Sequence, residues 1–442
     1  MKKSAAATLP DDVVVEILAR VTDPAALFRC GTACRRWRAL VVDPSFLDRR
    51  WPDNSHDLSC LLGFFVHRKS LKEEVEGILP NPLRSILPAP PSPLGPPHRF
   101  LGSRFHHVLD AAGRIDFSDH EMQPLASRRG LLLARLVPPT VREPGTVQLA
   151  VYNMFAGTCN VLPPLECDGF SYILCGAVLT SADCCPDDIQ QMPSSSLPPH
   201  SPFFKVIIMG MGKLRYKLYV FSSCDASWRA PVECRNIPER RVCPLQMPRG
   251  TVVCQSKAHW LFVDLSYFYT LSVGVDTHQV SLEKVPLSVP PNTYAASRLS
   301  VGVGGTLKLL ALRTQSLQLE IWTRENNGPQ ISDDAAVTTR WLCTQVIDIE
   351  EPKGSQINSV IWMYTGEKIG RSLRLANYWG TYMVDLETRT IIAEEVASGH
   401  ICSLTYIRSV PFEMHWPTFF TSRLGTLRQG KINNHIYLLD EL

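Results

Sequence analysis

One strand–turn–strand unit recurs along most of the chain and limits the folds that the chain can adopt. In each copy an apolar strand is followed by a tight polar turn and a second strand, which often ends in proline. The copies begin near residues 149, 218, 269, 319 and 382. Their starts are roughly 50 to 70 residues apart, as expected for repeated small sheets with loop insertions. A single hairpin cannot bury its faces alone, so the units must stack to make a core.

The repeats predict an all-β domain over residues 105–442 with the architecture of a β-propeller. Regularly spaced strands without long helical patterns argue against an α/β fold. In a propeller, small antiparallel sheets pack around a central axis, and the repeat spacing leaves the number of blades open at about six to eight. Two proline-rich stretches, at residues 88–97 and 186–202, are expected to be long loops because proline cannot join a central strand.

The first fifty residues have helical spacing instead. Pro10 suits a first helical position, and two aspartates follow it where the helix dipole favours negative charge. Asp23-Pro24 repeats the start signal. The apolar positions of the three expected helices are Val14, Ile17, Leu18, Val21, Leu27, Cys30, Ala33, Trp37 and Leu40. Short helices cannot cover such a surface by themselves, and an uncovered apolar surface is usually a docking surface.

This block resembles the F-box in residue types and spacing. The matching positions are Leu9-Pro10, Ile17-Leu18, Leu27, Cys34 with Trp37, and Asp43-Pro44 with Phe46. The resemblance implies binding of a Skp-type adaptor, which tethers the protein to a cullin-based ubiquitin ligase. Gly31 departs from the small apolar residues commoner there, and glycine weakens a helix by about 1 kcal/mol relative to alanine. The expected adaptor contacts are Leu9, Pro10, Val14, Ile17, Leu18, Leu27, Cys30, Cys34, Trp37 and Leu40.

The strand-rich part is similar to the β-propeller that follows the F-box in plant, especially cereal-type, F-box proteins. The similar segments are residues 127–133, 149–153, 162–164, 219–223 with Trp228, and 259–261. Together the two resemblances imply a small all-α F-box followed by an all-β substrate-binding domain. The expected division is a disordered N-terminus (1–8), the F-box (9–51), a connecting segment that can form part of the first blade (52–104), and the propeller-like domain (105–442).

Composition and charge exclude several classes of protein. The formal net charge of +3 does not indicate a nucleic-acid or membrane-surface partner. No apolar run approaches the roughly 18 residues of a membrane span. The chain reaches Asp11-Asp12 before an apolar segment develops, so we expect no signal peptide. The expected location is intracellular, in the cytoplasm, the nucleus or both.

The motifs of catalytic and metal sites are missing from the sequence. The fourteen cysteines include no Cys-x-x-Cys pair, so we expect buried thiols rather than zinc ligands or a disulfide framework. Residues 302–307 suggest a dinucleotide loop, but Leu307 stands where a third glycine is required, and a turn between strands is the better interpretation. His106-His107 has no carboxylate at ligand spacing. We therefore expect no catalytic residue, no metal and no cofactor.

Two functions from different classes remain. The first is the non-catalytic substrate receptor of a Skp–cullin–F-box ubiquitin ligase, in which the propeller binds a protein target. The second is a propeller that binds a glycan or small ligand outside ubiquitination, with aromatic side chains as stacking platforms. The candidate platforms are Trp322, Trp341, Trp362, Trp379 and Trp416. Strand tryptophans are more often core residues, and neither the target nor the loops that would bind it can be identified from the sequence.

Overall fold

A computed structural model describes most of the helical segment and the strands. The described residues are 9–52, 61–66, 86–88, 121–138, 146–166, 172–184, 203–211, 216–234, 251–263, 267–287, 289–313, 317–325, 340–349, 362–364, 372–376, 380–396 and 409–425. The expectations for residues 1–8, for His106-His107 and for the loop at 186–202 lie outside these ranges, as does the proline-rich loop beyond Pro88.

Five α-helices are present in the described residues. They are α1 (Asp11–Ala19), α2 (Pro24–Ala33), α3 (Arg35–Val41), α4 (Pro44–Arg50) and α5 (Trp416–Gly425). The carboxylate of Asp23 caps α2, and that of Asp43 caps α4, by accepting hydrogen bonds from the first-turn N–H groups. The sequence pattern predicts three N-terminal helices, whereas the structure has four. The pattern of Ala33, Trp37 and Leu40 predicts that Ala33 belongs to the third helix, but Ala33 is the exposed last residue of α2, so that placement is wrong.

The strands form six antiparallel sheets within the described part of the chain. Blade 1 contains β1 (Leu61–Val66), β2 (Ile86–Pro88) and β25 (Ser409–Glu413). Blade 2 contains β3 (Glu121–Arg128), β4 (Leu131–Val137), β5 (Thr146–Asn153), β6 (Thr158–Val161) and β7 (Leu165–Glu166). Blade 3 contains β8 (Tyr172–Thr180), β9 (Phe204–Met211), β10 (Tyr216–Ser222), β11 (Ser227–Trp228) and β12 (Val232–Glu233).

The remaining three sheets have four strands each. Blade 4 contains β13 (Val252–Cys254), β14 (Lys257–Val263), β15 (Phe268–Gly274) and β16 (Val280–Val285). Blade 5 contains β17 (Tyr294–Val301), β18 (Leu307–Arg313), β19 (Gln318–Glu325) and β20 (Arg340–Asp348). Blade 6 contains β21 (Trp362–Tyr364), β22 (Ser372–Ala376), β23 (Gly380–Asp385) and β24 (Thr390–Val396).

The connectivity of these sheets is that of a β-propeller. In blades 2 to 6 the main strands pair with their neighbours in chain order, and the recurring sequence unit is the third and fourth strand of each blade. First strands of neighbouring blades contact each other: β3 lies against β8, β13 against β17, and β17 against β21. In blade 1 this inner position belongs to β25, which contacts β3 and pairs with β1. Blade 1 therefore combines strands from the two ends of the domain, a pairing that we call ring closure.

The core of the ring consists of apolar layers between neighbouring blades. Separate clusters of buried residues join blades 2 and 3, 3 and 4, 4 and 5, and 5 and 6. Strand β18 shows how both faces are buried, since Leu307 and Leu309 face blade 4 while Leu310 and Leu312 face blade 6. Successive side chains of a strand point to opposite faces. This double burial explains why the strands have continuous apolar runs rather than apolar–polar alternation.

The five helices lie on one end of the ring, which we call the helix face. Strand β25 ends at Glu413 and α5 begins at Trp416, so the helix follows the inner strand of blade 1 directly. Phe155, in the turn between β5 and β6, contacts Phe412 of β25 and Phe419 of α5 with ring centroids 5.7 Å apart in both cases. A single buried cluster contains residues of α1–α4, α5, blade 1 and blade 2.

Candidate functional site: an exposed apolar stripe on α1

Helix α1 has one buried and one exposed apolar face. Leu9, Val13 and Ile17 are 53%, 39% and 48% exposed, although all three are large apolar residues. They are spaced four residues apart and so follow one side of the helix, with Leu9 just before its first turn. On the other side Val14 and Leu18 are buried in the shared core. We call Leu9, Val13 and Ile17 the α1 stripe.

Two ion pairs attach α1 to the helices behind it. Arg36 of α3 donates from Nε to Asp11 Oδ1 at 2.7 Å, and its Nη2 donates to the carbonyl oxygen of Leu9. Arg49 of α4 lies 2.7 Å from Glu16, measured from Nη2 to Oε1. Exposed ion pairs contribute only about 0 to 1 kcal/mol to stability. They connect the start of α1 to α3 and its middle to α4.

The structure divides the ten expected adaptor contacts into three groups. Leu9, Pro10, Ile17 and Cys34 are exposed, Cys30, Trp37 and Leu40 are half-buried, and Val14, Leu18 and Leu27 are buried. The three buried residues pack in the core behind the surface, so in this structure they support the stripe rather than form it. The sequence pattern places Ile17 on the buried face with Val14, whereas in the structure Val14 is buried and Ile17 is exposed beside it. The helical pattern does not select Val13, although its four-residue spacing from Leu9 and from Ile17 places it in the stripe.

An aromatic cluster joins the N-terminal helices to α5. The Phe28 ring lies 5.7 Å from the rings of both Phe419 and Phe420. Trp51 stacks on Trp416 with centroids 5.9 Å apart and lies 5.1 Å from Phe420. Buried aromatic pairs contribute about 0.5–1.5 kcal/mol each beyond the area that they bury. The N-terminal helices are thus packed against the C-terminal helix rather than attached by a linker alone.

Gly31 of α2 lies against Leu424 of α5. A β-carbon at this position would be 2.6 Å from Leu424 Cδ1 of α5 and 3.6 Å from Val41 Cγ1. Leu424 and Val41 are themselves fully buried. This contact explains the departure at position 31, where small apolar residues are commoner in the resembling family. Glycine lets α2 and α5 pack here without a shift of Leu424, although it weakens the helix.

A cavity of about 250 Å³ opens on the helix face, where the inner strands of the ring end. Its lining includes Arg129 from the β3–β4 turn, Ser256 from the β13–β14 turn and Gly305 from the β17–β18 turn. His415, just before α5, also lines it. The cavity therefore marks the mouth of the propeller axis and is walled mainly by polar turn residues.

Two buried titratable groups, Glu320 and Cys254, have the surroundings of structural residues rather than of catalytic ones. No group of three or more His, Cys, Asp or Glu residues in the described ranges could hold a metal ion. The buried carboxylate of Glu320 accepts hydrogen bonds from Tyr294 Oη at 2.8 Å, Arg313 Nε at 2.6 Å and Trp322 Nε1 at 3.0 Å. Burial raises the pKa of the Cys254 thiol to about 11, so it is a neutral core group at pH 7. Residues 302–306 form the turn between β17 and β18, as the sequence predicts, and Leu307 is the first residue of β18.

Three of the five candidate stacking tryptophans are packing residues. Trp322 and Trp341 are buried between blades 4 and 5, and Trp416 stacks on Trp51. The other two, Trp379 and the side chain of Trp362, lie outside the described residues. These placements remove most of the support for a glycan-binding platform. Among the described helices, none has the length and apolar character needed to cross a membrane.

Comparisons with known proteins found one family match and several similar structures. A family model described as F-box-like matches residues 6–50, and no curated protein sequence matches the chain. Among solved structures the chain is similar to the Dos1 propeller, with a TM-score of 0.32 and 14% identity over 66% of this chain and 65% of that one. It is also similar to the WD40 domain of SCAP from fission yeast, with a TM-score of 0.33 and 11% identity.

The second similarity covers 63% of this chain and 56% of the SCAP domain. The chain therefore spans less than two-thirds of the length of either structure. The family match coincides with helices α1–α4. The strands that follow them pair into the six sheets of the propeller. The chain has an F-box-like domain at its N-terminus, followed by a β-propeller.

Proposed function

We propose that this chain is the substrate-receptor subunit of a Skp–cullin–F-box ubiquitin ligase. The observation that carries the proposal is the α1 stripe, an exposed apolar row in a segment that matches an F-box-like family model. A helix of this size has little reason to expose three large apolar side chains in one row unless a partner covers them. The partner that an F-box implies is a Skp-type adaptor, which in turn binds a cullin.

The stripe has the features of an interface centre. Desolvated apolar side chains near the middle of an interface supply most of the binding energy. Leu9, Val13 and Ile17 would be desolvated by an apolar groove on the adaptor, with Pro10 and the exposed Cys34 at its edge. The half-buried Trp37 and Leu40 would contribute their accessible parts. The role of the buried residues would be indirect: the packing of Val14, Leu18 and Leu27 in the core would keep α1 in place.

The propeller would supply the target-binding surface. The helices pack on blades 1 and 2, which leaves blades 3 to 6 available for a protein target. Catalysis then requires no group from this chain. Holding a target lysine near the ubiquitin-charged enzyme raises its effective concentration and so accelerates transfer. A receptor of this kind acts inside the cell, in the cytoplasm, the nucleus or both, and needs no cofactor.

The test is adaptor binding by the full chain with a charge placed in the stripe. We expect Leu9→Asp combined with Ile17→Asp to weaken binding of a purified Skp-type adaptor by at least about a hundredfold, because two interface anchors become charged. Both residues are exposed, so the melting temperature should change little. Isothermal titration calorimetry and pull-down of the adaptor–cullin complex give the two readouts.

A matched control is Val346→Asp on blade 5, since Val346 is 46% exposed but lies on the propeller. This variant should bind the adaptor as the wild type does. If the double variant in the stripe binds with wild-type affinity, or if neither chain binds any Skp-type adaptor, the proposed function is wrong. Proximity labelling under proteasome inhibition, compared between wild type and stripe variant, would then identify the target.

A further inference from the structure

We propose that α5 positions the F-box-like domain on the propeller, so that the α1 stripe has a fixed direction relative to the target-binding blades. The role of this positioning in bringing adaptor and target together rests on the proposed function. The docking of α5 itself is a property of the free chain and can be tested without an adaptor. The residues that would carry the positioning are Gly31, Trp51, Phe419, Phe420 and Leu424.

The connection between the ring and α5 leaves the helix little freedom. Only Met414 and His415 separate β25 from α5. His415 Nδ1 lies 2.7 Å from Thr418 Oγ1 and accepts a hydrogen bond from the Thr418 N–H at 3.3 Å, which caps the first turn. The direction of α5 is therefore set by β25, the inner strand of blade 1.

Helix α5 contacts the N-terminal helices and the ring at the same time. Phe419 lies 5.7 Å from Phe28 of α2 and 5.7 Å from Phe155 of blade 2. On the next position, Phe420 is fully buried and contacts both Phe28 and Trp51. A single helical turn thus forms the common core of the two domains. Because packed interiors deform little, rotation of the F-box-like domain would require this core to open.

The contact between Gly31 and Leu424 makes the docking specific. A β-carbon at position 31 would lie 2.6 Å from Leu424 Cδ1, so the fully buried tip of Leu424 would have to shift to admit it. In a helix that did not dock here, alanine would be the better residue at position 31. The glycine therefore indicates that α2 has been fitted to α5.

Ring closure and domain docking use one continuous segment. Strand β25 completes blade 1 by pairing with β1, and α5 follows it at once. The F-box-like domain thus packs on a helix that begins at the end of the inner strand of blade 1. The direction of the α1 stripe, and with it the path from adaptor to target, would then be fixed by the propeller rather than by residues 53–60 of the connecting segment.

The first experiment measures whether the effect of Gly31→Ala depends on Leu424. Four full-length chains are compared by differential scanning calorimetry: wild type, Gly31→Ala, Leu424→Ala and the double variant. With Leu424 present, alanine at position 31 should lower the melting temperature by several degrees because of the overlap. With Leu424→Ala, the overlap is gone, and alanine should raise the melting temperature through its higher helix propensity.

A change of sign between the two backgrounds is the result that supports docking. The same shift in both backgrounds would overturn the proposal, because position 31 would then not sense α5. If the single Gly31→Ala chain does not fold, recovery of folding in the double variant counts in favour of docking. Failure of both chains to fold counts against it, since removing the overlap would have brought no rescue.

The second experiment measures position directly. Spin labels are introduced through non-canonical amino acids at Asp48 of α4 and Asp225 of blade 3, both exposed, and their distance distribution is recorded. The wild type should give one narrow distribution, and Leu424→Arg a broad one, because a buried cation would displace α5. Leu424→Met, the conservative control at the same position, should give the same narrow distribution as the wild type. A narrow distribution in Leu424→Arg, with the blades still folded by circular dichroism, would overturn the proposal.

Adaptor affinity separates this proposal from the proposed function. Leu424→Arg leaves the α1 stripe intact, so its affinity for a Skp-type adaptor should stay within about twofold of the wild-type value. A large loss of affinity in Leu424→Arg would show that α5 supports the fold of the domain rather than its position, and would also overturn the positioning role. Absence of adaptor binding in every chain, wild type included, would contradict the proposed function alone.

Discussion

Arg128, at the end of β3, forms a two-pronged ion pair with Asp183, just after β8, and thereby joins blades 2 and 3. The distance from Arg128 Nε to Asp183 Oδ2 is 2.8 Å, and both side chains are at least nine-tenths buried. Asp183 also accepts hydrogen bonds from the N–H and hydroxyl of Thr180 at 2.9 and 3.0 Å. A buried ion pair of this kind is costly to break from one side, because the remaining charge is left desolvated.

The Arg128–Asp183 pair predicts one component of acid sensitivity. Burial tends to raise the pKa of Asp183, but the hydrogen bonds and charge of Arg128 outweigh it and lower the pKa to about 2. In the unfolded chain the pKa is about 3.9. The pair therefore stabilises the fold above about pH 4 by about 2 kcal/mol, and this is lost as the pH falls towards 2.

Asp183→Asn should remove the part of the acid sensitivity that comes from Asp183. Urea midpoints measured from pH 7 to pH 2 would then fall less steeply with pH in the variant than in the wild type. At pH 7 the variant should be less stable than the wild type by about 2 kcal/mol or more. Asp225→Asn is the control, because its pair with Arg229 is long, at 3.7 Å, and half exposed. It should change stability by no more than about 0.5 kcal/mol. Equal acid slopes for wild type and Asp183→Asn would contradict the prediction.

A second loss of stability in acid, at higher pH, is expected from His259. This residue of β14 is fully buried, and its Nδ1 lies 2.7 Å from Ser272 Oγ. Burial, and then the charge of Arg324, lowers its pKa to about 4. The unfolded chain binds a proton below about pH 6.5 while the folded chain does not. Stability should therefore fall by about 3 kcal/mol between about pH 6.5 and pH 4.

His259→Gln tests this component in blade 4. The variant should be less stable at pH 7.5, because the hydrogen bond to Ser272 is perturbed. Its stability should nevertheless decline less than that of the wild type as the pH is lowered to 4. The measurement is the urea midpoint of both chains across this range. Parallel curves would mean that His259 is not the group that titrates.

The repeated part of the fold can be predicted from the sequence, and blade 1 cannot. Each of the five recurring units is the third and fourth strand of one blade, as in β5–β6 and β23–β24. Blade 1 has no such unit because it is assembled from β1, β2 and β25, which are far apart in sequence. Local patterns carry no information on that pairing. Ring closure, and the docking of α5 that follows it, are therefore visible only in three dimensions.

The candidate site was predictable as a segment but not as a surface. Helix α1 is apolar on two sides, and spacing alone does not say which side the rest of the protein covers. Val14 and Leu18 face the core because blade 1 and α5 lie behind them. Gly31 is a similar case, since only the position of Leu424 shows why a weaker helix former is present.

Adjacent valines on α1 separate binding from stability. Val13 is 39% exposed and Val14 is 2% exposed. Val13→Ala should weaken adaptor binding by about fivefold to tenfold, with little change in the melting temperature. Val14→Ala should lower the free energy of unfolding by about 2 kcal/mol through the lost packing, and the folded fraction should bind normally. Calorimetric titration and thermal unfolding of both chains give the comparison, and the reverse pattern would show that Val14 faces the partner.

Arg36 should matter for binding more than for stability. Its guanidinium holds Asp11 and the Leu9 carbonyl at the start of α1, so Arg36→Ala leaves the end of the stripe less ordered. The stability cost should be no more than about 1 kcal/mol, whereas adaptor affinity should fall by about threefold to tenfold because ordering must then accompany binding. Arg35→Ala is the matched control, because Arg35 is exposed one position earlier on α3. Equal affinities of the two variants would contradict a positioning role for Arg36.

Phe412 of β25 should influence the ring and the helices together. It is fully buried and lies 5.2 Å from Phe65 of β1 and 5.7 Å from Phe155 of blade 2. Phe412→Ala removes about 3–5 kcal/mol of packing at the strand that leads into α5. We therefore expect faster amide hydrogen exchange in β1, in α5 and in the helices that α5 contacts.

Phe221→Ala in blade 3 is the comparison for this prediction. Phe221 is buried and contacts Phe204 at 6.0 Å and Trp228 at 5.4 Å, far in the chain from β25. Phe221→Ala should lower stability by a similar amount. It should accelerate amide hydrogen exchange mainly in β9 to β11, since local opening follows cooperative structural units. If Phe412→Ala left exchange in α1–α4 unchanged, the F-box-like domain would be independent of β25. If it accelerates exchange there and Phe221→Ala does not, closure of the ring and placement of the α1 stripe share one packed core.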